Sequence, residues 1–248
     1  MKPLKLLLCS VVLTAASLSQ ASTVGVFSTG NSSGSTSGVA SWLQSTGSFT
    51  SVTGFDANTF SFAQLNAFDE VLFFTNGGGD AVNSGNALAQ FAQTGKRLVV
   101  ATFAWAQQSG NTVAGNFITG GYSPFTAFGS SAYSSVTMAS NDGSALFSGV
   151  STVSGVYHDR VQASAGATSR ASWSDGSALV ATKGNVVGVN LFPDDRFGQM
   201  HGDYKQLFVN SLTVTTPVPE PESYAMLLAG LGAIGAIVRR RKQQKTAV

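Results

Sequence analysis

Gly30-Asn31-Ser32-Ser33-Gly34 has the spacing G-x-S-x-G, which at a strand-to-helix turn lifts a serine hydroxyl toward a base. Asp195 and His201 follow it, completing the chain order Ser…Asp…His. In that reading Ser32 is the nucleophile of an acyl transfer, His201 its base and Asp195 the carboxylate that orients the imidazole. The chain holds 33 serines and 28 glycines, so a pattern this loose arises readily by composition. Only one strand precedes it, where such an elbow normally follows several. The competing reading is a glycine-rich turn between strand and helix whose hydroxyls cap the helix.

The two histidines offer a second route. His158-Asp159 and His201-Gly202-Asp203, with Asp194 and Asp195 close by, pair imidazole with carboxylate, a combination suited to acid/base work or to zinc or iron. The histidines lack the i, i+4 spacing of a helical metal site, and no D-x-D-x-D-G calcium loop is present. A solvated loop face is the alternative. Gly77-Gly78-Gly79 fits no G-x-G-x-x-G pattern, and Gly95-Lys96 ends a helix without a following Ser or Thr, so neither is a nucleotide loop. Trp42, Trp105, Trp173, Tyr122 and Phe125 offer rings for a carbohydrate platform or, equally, for a core.

These residues need elements to hold them. Thr23 to Phe27 is a short apolar run leading into a Gly/Ser/Thr-rich loop from Ser28 to Gly38. Val39, Trp42 and Leu43 then fall at helical spacing, and Phe49 to Val52 suits a second strand. Glu70 to Thr75 and Arg97 to Phe103 are continuous apolar runs of strand length; between them lies a helix around Leu88 and Phe91 that Gly95 ends. Strand, glycine-rich loop, helix, glycine, strand is a βαβ pattern, and runs without alternation predict a mainly parallel sheet covered on both faces. Ala104 to Ser140 reads as an irregular insertion. Strands are expected at 155–162 and 168–174, a hairpin at Lys183-Gly184, and a closing helix from Tyr204 to Leu212. The predicted class is thus one α/β domain over residues 22–216, with a β-sandwich as the alternative.

The order of elements, Phe68 to Gly79 (FDEVLFFTNGGG) and the ending GNVVGVNLFPDD…GDYKQLFVNSL resemble flavodoxin-like and class I glutamine-amidotransferase-like folds, including the trehalose-utilisation-like branch. That resemblance implies a cysteine nucleophile after a central strand. The sole cysteine is Cys9, far upstream in an N-terminal apolar run, so amidotransferase activity is not expected. Ser28 to Ser32 also resembles the phosphate loop of flavodoxins, but threonine is favoured where Ser32 stands and no ring-flanking loops follow; no cofactor is expected.

The ends of the chain are the most specific. Lys2 and Lys5, the apolar stretch Leu6 to Leu18 and Ser19-Gln20-Ala21 predict a signal peptide over residues 1–21, cleaved after Ala21 by a signal peptidase once the translocon has exported the chain. At the other end Pro219-Glu220-Pro221 precedes an uncharged apolar segment, Ser223 to Val238, and then Arg239, Arg240, Arg241 and Lys242. Sixteen helical residues span about 24 Å, short of a hydrocarbon core of about 30 Å, so the predicted transmembrane helix 223–238 suits transient retention. The basic cluster is expected to stay on the cytoplasmic side, leaving residues 22–222 outside. Between these ends seven basic residues face ten acidic ones, about −3, which excludes a nucleic-acid surface of the usual kind.

Residues 217–246 closely resemble the PEP-CTERM sorting signal. The resemblance implies export by a Gram-negative bacterium that makes extracellular polysaccharide, passing retention at the inner membrane with the domain in the periplasm, and processing by an exosortase. The expected product is a non-enzymatic cell-surface or extracellular-matrix protein linked to exopolysaccharide and biofilm. An exported hydrolase or carbohydrate-active enzyme using Ser32 or a His/Asp site, and a ligand-binding α/β module, are the alternatives.

Overall fold

The computed structural model describes residues 22–30, 33–107, 112–194, 196 and 198–214. The signal peptide, Ser32, Asp195, the Pro-Glu-Pro triplet and the predicted span 223–238 with its basic stop lie outside these. Among the described residues no helix is long and apolar enough to cross a membrane.

The elements run β1 (Thr23–Thr29), α1 (Ser33–Ser45), β2 (Ser51–Asp56), α2 (Phe62–Asn66), β3 (Glu70–Thr75), α3 (Ala81–Gln93), β4 (Arg97–Ala101), α4 (Asn116–Thr119), β5 (Phe125–Ala127) and β6 (Ala132–Asn141). They continue with β7 (Val153–His158), β8 (Val161–Ala163), β9 (Thr168–Trp173), β10 (Ala178–Lys183), β11 (Val186–Val189), β12 (His201–Gly202) and α5 (Tyr204–Thr213). Ten strands form one sheet in the order β12-β7-β6-β9-β10-β11-β4-β3-β1-β2, and β5 pairs with β8 apart from it.

The stretch β2-β1-β3-β4-β11 is parallel throughout. From β11 outward every pairing is antiparallel. The sheet is therefore mixed, and the expectation of a mainly parallel one holds for half of it. The physical reason is visible in the connections. Early strands are joined by helices, which force parallel crossovers, whereas β10 and β11 are joined by a two-residue turn in which Gly184 has φ 57°. The sandwich alternative fails because helices cover both faces of the parallel half. Two further boundaries moved: α1 begins at Ser33, inside the expected loop, and the supposed irregular insertion contains α4, β5 and the ten-residue β6.

Alternation along the buried strands feeds two cores. Val24, Val26, Leu72, Phe74, Val99 and Val187 face one side, where α1 brings Val39 and Leu43 and α5 brings Leu207 and Phe208. Phe27, Val71, Phe73, Leu98 and Val186 face the other, against Leu65 of α2 and Leu88 and Phe91 of α3. The helices are capped as their sequences dictate. Ser61 and Gln64 form a reciprocal capping box on α2, and Asp80 accepts from Asn83 N at 3.0 Å on α3.

Candidate functional site

In sheets of this kind ligands are met at the carboxyl ends of the parallel strands, where the crossovers reverse side between β1 and β3. Here the loops after those two strands are in backbone contact. A Cβ at Gly30, whose φ is 95°, would lie 2.5 Å from the Gly77 backbone, and one at Gly79 would lie 2.6 Å from Thr29 Cβ. Only glycines permit that approach.

The same edge is populated instead by aromatic rings. Phe103 lies two residues beyond the central strand β4, its N–H donating to the Thr75 carbonyl at 3.1 Å. Its ring lies 5.5 Å from Phe192, 5.8 Å from Tyr157 and 6.0 Å from Tyr133. Tyr133 and Tyr157 are register partners on β6 and β7, 5.7 Å apart edge to face, and Phe192 reaches back to Phe74 at 5.4 Å. Tyr133 is 57% exposed while Phe103 is buried, so the cluster runs from the core to the surface. The place after a central strand where the fold resemblance called for a nucleophile holds hydrocarbon.

Beneath these rings sits a buried polar network organised by Asn190. Its Oδ1 accepts from Asp159 N (2.6 Å) and Thr102 Oγ1 (2.9 Å). Its Nδ2 donates to the carbonyls of Asp159 (2.7 Å) and Ala178 (2.8 Å). Asp159 is fully buried and accepts from Ser131 Oγ at 2.7 Å and Trp105 N at 3.2 Å. Burial outweighs these bonds and pushes its carboxyl up to about 6. His158 Nε2 lies 2.8 Å from Asp175 Oδ2, and Asp175 accepts from Ser177 N and Oγ. Burial acts to raise Asp175, but the bonds from Ser177 and His158 prevail and hold it below its usual value.

The His158–Asp175 pair has its accessibility reversed for catalysis: the carboxylate is 33% exposed and the imidazole 0%. A base must reach the proton it removes, and this imidazole is sealed behind its own orienting carboxylate. His158 Nδ1 is buried without a hydrogen-bond partner.

His201 lies elsewhere. It is exposed on β12 and pairs with Ser154, four residues along β7 from His158, a separation of about 13 Å at strand spacing. The structure does not bring the two histidines together, and among the described residues no three His, Cys, Asp or Glu side chains converge as metal ligands. Asp203 spends one carboxylate oxygen on Ser151 N and Thr152 N, which lowers its pKa. Asp194 holds Arg196 through Nε at 2.5 Å, and Arg196 donates onward to Ser35 of α1, also at 2.5 Å.

Of the proposed ring platform, Trp105, Trp173 and Phe125 are core residues in two different cores, and Trp42 packs on Tyr204 and Phe208. Sequence reasoning missed Phe103, Tyr133, Tyr157, Phe192, Asp175 and Asn190. The signal available was positional: Phe103 ends the apolar run Arg97 to Phe103, after which a nucleophile was sought.

Residues 217–242 match the model of the PEP-CTERM protein-sorting motif, which supports an exported protein sorted by an exosortase. No curated protein matches the chain in sequence. Among solved structures, the chain is similar to one described as a GMP synthase component from Thermoplasma acidophilum, with TM-score 0.54 and 10% identity over 78% of this chain and 93% of that one. It is also similar to a protein described as ThuA-like from Bacteroides uniformis, with TM-score 0.54 and 11% identity over 76% and 89%. A cytoplasmic protein from Salmonella typhimurium aligns with TM-score 0.57 and 11% identity over 76% and 97%. At such identities the likeness concerns the fold alone.

Proposed function

We propose that the exported domain is a non-enzymatic binding protein of the cell surface or extracellular matrix, which contacts extracellular polymer through the rings at its carboxyl edge. The observation that carries this reading is the replacement of reactive groups by rings around Phe103 at the edge where this fold meets its ligands. Tyr133, more than half exposed, supplies aromatic surface and a hydroxyl, chemistry suited to stacking on the C–H face of a sugar. Phe128, on the loop before β6, is also 57% exposed.

The placement of residues 22 and 214 supports the same reading. The Ser22 carbonyl accepts from Thr50 N, and Arg97, at the start of β4, donates to the carbonyl of Val214. Residues 22 and 214 therefore lie at the amino edge of the sheet, three residues before the sorting motif begins. A domain held at the membrane by that tail directs its carboxyl edge, with Tyr133, away from the bilayer. A signal peptide over 1–21 and a transient span over 223–238 are part of the proposal.

The test is sedimentation of the released protein with extracellular polysaccharide from the producing culture. The wild type is expected in the pellet, and Tyr133→Ala is expected to shift it to the supernatant with its melting temperature unchanged. Equal sedimentation of both proteins would remove the rings from the reading, and turnover of an ester or glycoside substrate by the purified protein would replace it with an enzymatic one.

A further inference from the structure

A second feature lies on the opposite face of the sheet from these rings. The loop leaving β2 and the helices α2 and α3 surround an open cavity of about 530 Å³, within the range of small-ligand sites. Four carboxamides line it, those of Gln64, Asn83, Asn86 and Gln90, and none of its lining side chains is charged. Asn83, Asn86 and Gln90 recur at i, i+3 and i+7, so they form one polar stripe along α3 that faces α2. Phe60 and Phe62 supply ring surface: Phe60 is buried at the base, and Phe62 is half-buried.

Several of these amides are already oriented by the fold. Gln64 Oε1 accepts from Ser61 N at 2.9 Å in the capping box, and Asn86 Oδ1 accepts from Asn116 N at 2.9 Å. Each bond fixes the acceptor end and leaves the NH₂ end of the amide uncommitted. The Gln90 side chain has no hydrogen-bond partner among the described residues, so both its donor and its acceptor are open to a ligand. Pre-set donors lose little freedom on binding, which is where affinity for small polar ligands is gained.

We infer that this cavity binds a neutral sugar unit. A sugar presents adjacent hydroxyls that both donate and accept, which matches carboxamides, and an apolar C–H face, which matches the phenylalanine rings. With no cation in the lining, sugar acids and phosphates gain nothing to offset their desolvation. A peptide would need a free strand edge or a deep apolar pocket, and the walls here are two helices and the loop at 59–61, lined mainly by polar side chains. Together with the carboxyl-edge rings, the site gives one domain two contacts with a carbohydrate polymer, so that one contact raises the effective concentration of the other.

The proposal is tested on the form of the protein released from cells expressing the full chain, by calorimetric titration with neutral disaccharides (cellobiose, maltose, lactose). A glucuronic-acid disaccharide and triglycine serve as controls. Binding of a neutral disaccharide is expected, weakened about tenfold or more in both Gln90→Ala and Phe62→Ala, and unchanged in Tyr133→Ala. Gln90 is exposed, so its removal leaves the fold intact, which the melting temperature checks. Failure of all three neutral sugars to bind, binding indifferent to Gln90→Ala, or preference for the uronate or the peptide would overturn the inference. Because sedimentation with polymer reads Tyr133 and titration reads Gln90, the two readings fail separately.

Discussion

Glu70 opens β3 directly across from Arg97, its register partner on β4. Burial raises its carboxyl to about 7, against the opposing pull of a hydrogen bond from Ser22 and the charge of Arg97. Its Oε2 is buried without a hydrogen-bond partner. A carboxyl whose pKa is higher in the folded state binds its proton more tightly there. Its contribution to stability is therefore complete below about pH 4.5 and is lost as the pH rises through 7. Asp159 adds a like dependence over the lower window from 3.8 to about 6. Glu70→Gln is expected to flatten the fall in stability between pH 5 and 8, and to raise stability at pH 8 by about 1 kcal/mol once partial exposure is allowed for. Urea denaturation at the two pH values measures both. Asn190 is a different case, since four hydrogen bonds converge on its amide. Asn190→Ala strands several buried partners and is expected to cost roughly 3 kcal/mol or more, read as a lowered urea midpoint at unchanged slope.

Helix α3 shows packing overriding propensity. Gly85 sits mid-helix, where alanine would ordinarily gain about 1 kcal/mol. A Cβ at this position would lie 1.8 Å from the Ala114 carbonyl oxygen, because the segment leading into α4 crosses the helix at backbone distance. Gly85→Ala is accordingly expected to destabilise the domain by about 2 kcal/mol or more in thermal unfolding, the reverse of its effect on an isolated helix. Legibility in the sequence varied in the same way. The strands β3 and β4 and helix α3 were readable because continuous apolar runs and an amphipathic stripe are local signals. The start of α1 was not, because Ser33 to Gly38 carries no apolar period; this turn becomes helical once Val39 and Leu43 dock on the sheet. Likewise the ten residues of β6 have only Ala132 and Val136 buried, and the strand is held by pairing with β7 and β9 more than by a hydrophobic pattern.

Across the molecule, the amino edge carries residues 22 and 214 and the carboxyl edge carries the rings. Arg97 joins these facts: a mostly buried guanidinium donates to the carbonyls of Asn185 and Val214 and so fastens the last described turn of chain to the sheet. Arg97→Ala is expected to loosen the junction with the tail, read as faster proteolysis C-terminal to α5 with the domain core intact. The sorting motif makes its own prediction. In cells with an exosortase the released form is expected to end near Pro219-Glu220-Pro221, as mass spectrometry of its C-terminal peptide would show. Intact Lys242 in the extracellular fraction would contradict processing.

The sequence by itself determined the address, because sorting signals are read as linear strings of charge, apolar length and proline, and those survive without a fold. It also determined the βαβ half, since buried parallel strands must be continuously apolar. Only the tertiary structure decided which side chains share a site. Phe103, Tyr133, Tyr157 and Phe192 come from four separate segments, and their meeting depends on strand register between β6 and β7 and on where β4 and β11 end. His158 and His201, matched in the sequence by their neighbouring aspartates, were separated by the register between β7 and β12. The cavity of carboxamides arose where two helices face each other, a relation that no spacing along one chain segment encodes.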